Sequence, residues 1–297
     1  MERKHAFMIG CYKCPEYLES LIDSLDGRRS NFYIHVNKEN VEEFESLRLK
    51  MKNRNNVLFV PSIKVIWGGM TLLKSLCIMM NEAIKNEDNF FFHFLTGQDA
   101  LVQPLDKLYD FFDSNSDKNF VSISKNIDTV LCPKSKELDW IQYYHTYDRL
   151  NYRTSFFSKT VEKMFVGIQK IFGFKRKLSW EKYYKGSGWF SLNKKAVQIL
   201  LDAMNNKEEM KKWNNCFATE EIFIPTILKN STYNLNIVND SLRYIDWKKG
   251  PTYPAILDES SFDDIIYSGK FFCRKIDPNK SKKLLQMLYC VRHDTKI

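Results

Sequence analysis

The chain has 297 residues, 44% hydrophobic and 27% charged, a composition that suits a soluble globular protein with a sizeable core and excludes a disordered or fibrous chain. Forty-five basic against 36 acidic side chains give a net charge of +9, which favours anionic partners: nucleic acid, anionic lipid or a phosphorylated ligand. The basic residues are interleaved with acids throughout, which argues against a dedicated nucleic-acid face. Seven cysteines, an odd number set mostly within apolar runs, fit reduced core thiols better than a disulfide framework. No run reaches eighteen consecutive apolar residues, and the apolar stretch near the N-terminus is too short for a secretory signal or a membrane span. The expected location is therefore inside the cell.

In chain order, "HAFMIG" (5–10) reads as a buried strand and "PEYLESLIDSL" as an amphipathic helix. "NFYIHV" (31–36) is a second strand, "VEEFESLRLKMKN" a helix and "NVLFV" (56–60) a third strand. The glycines of "VIWGG" break the chain before a long apolar helix that starts at Thr71. "NFFFHFLTGQD" (89–99) is a buried strand ending in a turn, "PLDKLYDFFDS" a helix opened by Pro104, and "NFVSIS" (119–124) another strand. Strands alternating with helices over the first 125 residues predict a mostly parallel sheet with helices on both faces.

Beyond residue 124 the rhythm changes. The aromatic and basic stretch from Trp140 to Lys177 reads as a helical excursion and a loop; "GSGWFSL" (186–192) returns to a strand. Helices follow over 194–204 and about 220–229, then "SLRYIDW", a loop "KKGPTYPAIL", a short helix "SFDDIIYSG", "FFCRKI", and a last helix from Pro278 to about Tyr289. One α/β domain is expected, with residues 1–125 as its nucleotide-binding half and 126–297 as a largely helical acceptor and catalytic half.

In such sheets ligands bind beyond the carboxyl ends of the strands. The loops at 10–15, Asn37, 67–69 and 96–99 are therefore the ones that matter. "CYKC" places Cys11 and Cys14 at a redox or zinc spacing, but no second pair completes a zinc site. GxGxxG, GxxxxGK[ST] and GxSxG are all absent.

What is present is an ordered series: "YIHVNK", "VIWGG", "FLTGQDALVQPL", "YYKGSGWFSLNKKAV", "ATEEIFIPTILKNS", "LRYIDWKKGPTYP" and "SGKFFCRKID". In order and spacing it resembles the core-2/I-branching β-1,6-N-acetylglucosaminyltransferase family, which also holds the peptide O-xylosyltransferases. The resemblance runs from about His5 to Asp277. It implies a GT-A-like fold and an inverting transfer of a sugar, GlcNAc by family default, from a UDP-sugar to a glycan hydroxyl. It also implies that no metal or other cofactor is needed, with basic side chains taking the place of a divalent cation on the diphosphate. In keeping with this, no DxD triplet ends a predicted strand.

The resemblance assigns roles to residues. Glu221, second of an acid pair before an apolar helix, takes the place of the catalytic base, with Glu220 as its acidic neighbour and Thr219 as the N-cap. Lys275 falls on the family's diphosphate lysine, and Arg274 adds a second cation. The family's arginine aligns near Thr252, so Arg243, Lys248 or Lys249 is expected to serve instead. Gly10, Cys11 and Tyr12 are expected to line the uracil, with Asn37 where the family usually has Asp. Trp67, Gly68 and Asp99 frame the donor sugar. Gly186, Ser187 and Trp189 contact donor or acceptor, and the segment 143–153 walls the acceptor cleft. His35 reads as a packed strand residue.

The resulting expectation is a cytoplasmic, bacterial-type transferase that builds capsule or lipopolysaccharide, with no anchor of its own. Its basic surface would rest against an anionic inner membrane face near lipid-linked acceptors, with no nucleic-acid partner. The alternatives are a metal-dependent GT-A enzyme of another family, a basic nucleic-acid-binding protein, and a non-catalytic sugar-binding homologue.

Overall fold

A computed structural model describes residues 2–129, 135–150, 156–250 and 253–294. The elements run β1 (Lys4–Cys11), α1 (Pro15–Leu25), β2 (Ser30–Val36), α2 (Glu45–Lys50), β3 (Val57–Phe59), α3 (Thr71–Ala83), β4 (Asn89–Thr96), β5 (Asp99–Leu101), α4 (Leu105–Ser114) and β6 (Lys118–Asp128). Then follow α5 (Lys136–Gln142), α6 (Phe156–Ile171), β7 (Lys182–Asn193), α7 (Lys194–Asn205), α8 (Lys207–Trp213), α9 (Thr219–Lys229), β8 (Asn236–Val238), β9 (Arg243–Ile245), α10 (Phe262–Tyr267), β10 (Phe272–Arg274) and α11 (Lys282–His293).

Seven strands form the main sheet in the order β3-β2-β1-β4-β7-β6-β8. β1 to β4 are mutually parallel, and β7 runs antiparallel to both β4 and β6. The expected α/β sheet is therefore present, but "NFVSIS" does not extend its parallel part. The long β7 enters between β4 and β6. The hydrophobic runs of β1 and β4 follow from double-sided burial. Ala6 and Met8 of β1 face a core with Leu73 and Leu76 of α3, Leu200 of α7 and Phe223 of α9. Phe7 and Ile9 face the opposite core, with Leu18 and Ile22 of α1 and Leu108 and Phe112 of α4. Alternation along a single strand thus supplies both layers.

Chain order reverses at β1: the chain moves outward through β2 and β3, then returns to β4 on the other side. The carboxyl ends of β1 and β4 therefore flank a topological switch point, the usual crevice for a ligand in an open α/β sheet. A second sheet, β5-β10-β9, lies against this end, with Arg274 in register opposite Asp99. β9 and β10 fall within "SLRYIDW" and "FFCRKI", which the sequence reading set apart without naming their structure, whereas β5, α8 and β8 have no counterpart there. α11 begins at Lys282, four residues later than expected.

β7 is irregular where it matters. Val121 pairs with Phe190 and Ile123 with Gly186, so β6 advances two residues while β7 advances four. Ser187, Gly188 and Trp189 bulge from the ladder, a device that re-aims side chains. Gly186 anchors the bulge: a Cβ there would stand 1.9 Å from the Ser122 carbonyl oxygen. We predict that Gly186→Ala destabilises the protein by about 2–4 kcal/mol in urea unfolding. Gly10→Ala, whose methyl would meet only Phe94 at 3.9 Å, should change stability by less than about 1 kcal/mol.

Candidate functional site

The loops after β1, β4 and β10 are laced together. The Gly97 amide donates to the Gly10 carbonyl at 2.9 Å, and the Ile276 amide to the Gln98 carbonyl at 2.8 Å. The Tyr12 hydroxyl donates to Gln98 Oε1 at 3.1 Å, and its ring is exposed. Cys11 turns inward: its Sγ meets the His35 carbonyl at 3.4 Å, and burial raises its thiol pKa. Asn37 braces the neighbouring loop, with Oδ1 accepting from the Val65 amide at 2.9 Å and Nδ2 donating to Asn40 Oδ1 at 3.2 Å. His35 lies in the core; burial lowers its pKa to about 4.

The central feature is a guanidinium sandwich. Arg274 Cζ lies 3.6 Å from the centre of the Trp189 ring. Its Nε stands 3.6 Å from Asp99 Oδ1. Asp99 is itself fixed through Oδ2, which accepts from the Thr96 amide and from Thr96 Oγ1. Arg274 is buried, yet its Nε and Nη1 have no hydrogen-bond partner. Buried charged donors are rarely left so. Lys275 follows directly, half-buried, its backbone tied to Ala255 and Leu257 at 3.3 and 2.9 Å.

Arg243, expected among the diphosphate cations, is engaged inside the protein. Its Nη1 donates to Ser191 Oγ at 2.9 Å and to the Ser241 carbonyl; its Nη2 donates to the Phe94 and Phe190 carbonyls at 3.0 and 2.7 Å. It pins the ends of β4 and β7 from within, and burial brings its pKa down to about 9. Lys248 and Lys249 are exposed on the loop after β9, where both backbone amides donate to Asp246 Oδ1. Lys249 Nζ points toward Asp264 at 4.0 Å. Position 252 and residues 151–153 of the expected acceptor wall lie outside the described residues, as does Cys132.

The acid pair opens α9. The cap is not Thr219: its hydroxyl donates back to the Cys216 carbonyl, and Ala218, in the left-handed conformation at φ 45°, is the capping residue without a side-chain bond. The first-turn amides therefore keep their positive field for the acids. Glu220 is buried, and a Cβ on Gly188 would come within 3.1 Å of its Cγ. Burial and the neighbouring Glu221 push its pKa up to about 8. Glu221 is raised by burial as well, but Lys185, with Nζ 3.6 Å from Glu221 Oε2, opposes the shift. The Glu221 side chain keeps 31% exposure. The two adjacent carboxyls titrate as a pair, and burial favours the neutral form most at Glu220.

A wall of aromatics borders the pair. The Ala218 amide donates to the Gly68 carbonyl at 2.8 Å, tying "VIWGG" to the head of α9. Gly68 sits at φ 78°, and a Cβ there would meet Phe217 at 2.8 Å, so both backbone and space call for glycine. Trp67 is 46% exposed and packs edge-on against Tyr147 and Phe217. Ser187 Oγ donates to the Trp189 carbonyl at 3.2 Å and stabilises the bulge.

The sequence model of the Core-2/I-Branching enzyme matches residues 5–265. The chain belongs to this family. It is 26% identical over 235 residues to "Xylosyltransferase oxt" of Drosophila pseudoobscura pseudoobscura, covering 77% of this chain and 24% of that protein. It is 24% identical over 238 residues to "Xylosyltransferase 2" of Mus musculus, covering 78% and 25%. The chain thus spans about a quarter of the length of these relatives. Among solved structures it is similar to 4-diphosphocytidyl-2C-methyl-D-erythritol synthase from Anaerococcus prevotii DSM 20548, at 9% identity and a TM-score of 0.34 over 90% of this chain and 95% of that one.

Within this family member, Lys185 and Trp140 were not singled out by sequence, and Gln98 entered only as part of the 96–99 loop. Lys185 stands inside the quoted "YYKGSGW", beside Gly186, but no period or motif marked it as the partner of Glu221. Trp140 carries Lys185 over its ring at 5.0 Å and meets Phe217 edge-on at 4.8 Å. Among the described residues no group of three or more His, Cys, Asp or Glu is arranged to hold a metal, and no helix is long and apolar enough to cross a membrane.

Glu220 also predicts a pH effect. A carboxyl whose pKa is higher in the folded than in the unfolded state favours folding below the unfolded value, and that contribution is lost as pH rises through the folded value. Thermal stability should therefore fall between about pH 4.5 and 8. Glu220→Gln should flatten this decline, as read by calorimetry across that range.

Proposed function

We propose that this protein is an inverting, metal-independent glycosyltransferase that moves a sugar from a UDP-sugar to a glycan hydroxyl. The single observation that carries the reading is the buried Arg274, with two donors unpartnered, held on Trp189, whose β7 bulge also lies against Glu220. In this reading Arg274 and Lys275 meet the diphosphate. Negative charge grows there as the bond between the anomeric carbon and the β-phosphate oxygen breaks, so a fixed cation stabilises the transition state more than the ground state. Glu221 takes the proton of the acceptor hydroxyl while its oxygen attacks the anomeric carbon from the face opposite UDP. The electron pair of the broken bond leaves with UDP, and the configuration inverts.

Tyr12 offers its exposed ring to the uracil. Trp67 and the exposed aromatic edge around Tyr147 give flat faces to a sugar. The family resemblance favours GlcNAc as donor sugar, and the names of the relatives bring UDP-xylose in beside it. The acceptor class we infer is a bacterial cell-surface glycan or its lipid-linked precursor.

Turnover of UDP-GlcNAc and UDP-xylose, measured in EDTA, tests the scheme. Glu221→Gln should lower kcat about 10²–10⁴-fold with UDP affinity within about twofold of the parent. EDTA should leave the parent rate unchanged. A rate abolished by EDTA and restored by Mg²⁺ or Mn²⁺ would favour the metal-dependent reading.

A further inference from the structure

α6 is folded inside out. A surface helix ordinarily turns its apolar stripe to the core and its polar face to water. Here Ser158, Glu162 and Gln169 are the buried residues of the helix. At about 100° per residue they share one face. Their inward contacts are specific. Glu162 Oε1 bonds His145 Nδ1 at 2.5 Å, and Glu162 Oε2 accepts from the Thr146 amide and hydroxyl at 3.0 and 2.9 Å. Gln169 accepts from the Tyr144 amide at 2.9 Å and donates to its carbonyl at 2.8 Å.

The apolar side chains point outward. Phe157, Met164, Ile168 and Ile171 share a second face, exposed by 73%, 62%, 50% and 80%. Phe172 and Phe174 continue the patch past the helix end. Isolated exposed apolar residues are unremarkable, but a contiguous patch of this kind marks an interaction surface. Lys159, Lys163 and Lys170 form a third row along the helix, and Lys175, Arg176 and Lys177 follow it. Over 156–177 the only acid is Glu162, which is turned inward.

We propose that α6 and the turn after it dock this protein flat on an anionic bilayer surface. An apolar face flanked by lysines is the pattern of a helix lying in the headgroup region, where buried apolar area and attraction to anionic lipid act together. Of the row, Lys170 is paired with Asp139 at 2.5 Å, but two such faces would still bring Lys159 and Lys163 of each copy together, which separates the bilayer from a second copy of the chain as occupant. The helix is also tied to the site. Its Glu162 holds His145, whose ring lies 6.2 Å from Phe217, the residue next to the cap of α9. Docking at α6 would thus set the head of α9 close to the lipid surface. The bilayer contact stands independently of the transferase reading.

The test is co-sedimentation of the full chain with vesicles of phosphatidylcholine alone or with about 30% phosphatidylglycerol. The parent should bind the anionic vesicles at least about tenfold more strongly. Ile168→Glu/Ile171→Glu should lose that binding with its melting temperature and UDP affinity unchanged, whereas Tyr267→Glu, at an exposed site on α10, should keep it. Equal sedimentation of parent and double variant would overturn the proposal. So would a parent that forms a dimer in ultracentrifugation, dissociated by the double substitution, and shows no vesicle binding.

Discussion

A buried guanidinium with open donors sets the terms for this structure. Removing Arg274 from water is costly unless its charge is met. The protein meets it in part only, with the Asp99 carboxylate on one side and the face of Trp189 on another. Cation–π attraction strengthens as water is excluded, so the tryptophan matters more here than at an open surface. The three short strands of the second sheet exist to hold this register: β10 places Arg274 opposite Asp99, and β9 backs it. The bulge in β7 brings Trp189 to the ring-stacking distance, and Gly186 lets that bulge sit against β6.

The same bulge joins the second charge system. Gly188 leaves room for Glu220, and burial favours its neutral form, which lessens the negative charge beside Glu221. Lys185, one residue before Gly186, restrains the Glu221 pKa against desolvation. Cation and carboxylate, on β10 and α9, thus both lean on one irregular strand, Arg274 through Trp189 and Glu220 through Gly188, so a shift of β7 moves both. Stability and function pull against each other at Glu220, as they often do at sites with a buried ionisable group.

The first half of the fold was legible because its physics is local. Near-continuous apolar strands such as 91–95, alternating with amphipathic helices, admit little besides a parallel sheet covered on both sides. The position of β7 was not legible, since strand order depends on pairings more than sixty residues apart, such as Ser124 with the Lys185 carbonyl. The motifs marked Glu220, Glu221, Trp189 and Arg274 as neighbours of chemistry, but could not tell Arg274 from Arg243. Both are arginines at short-strand positions in aromatic-rich segments. Only the bonding of each shows that Arg243 has both Nη atoms taken up by oxygens, with its Nε open, while Arg274 has Nε and Nη1 open. Thr219 misled as a cap because the cap is one residue earlier, at Ala218, which leaves Thr219 in the first turn with its hydroxyl donating to the Cys216 carbonyl. α6 was read as a helix, yet its polarity was beyond reach, because either face of an amphipathic helix can turn inward when the polar one finds partners such as His145 and the Tyr144 backbone.

The most direct test of the central claim is a pair of affinities measured by calorimetry in EDTA, for UDP and for uridine, on the parent chain and on Arg274→Met. The account predicts that the substitution weakens UDP by about tenfold to a hundredfold, the scale of a lost charged hydrogen bond, while uridine binding stays within about twofold. A folded Arg274→Met protein that binds UDP as tightly as its parent would contradict it.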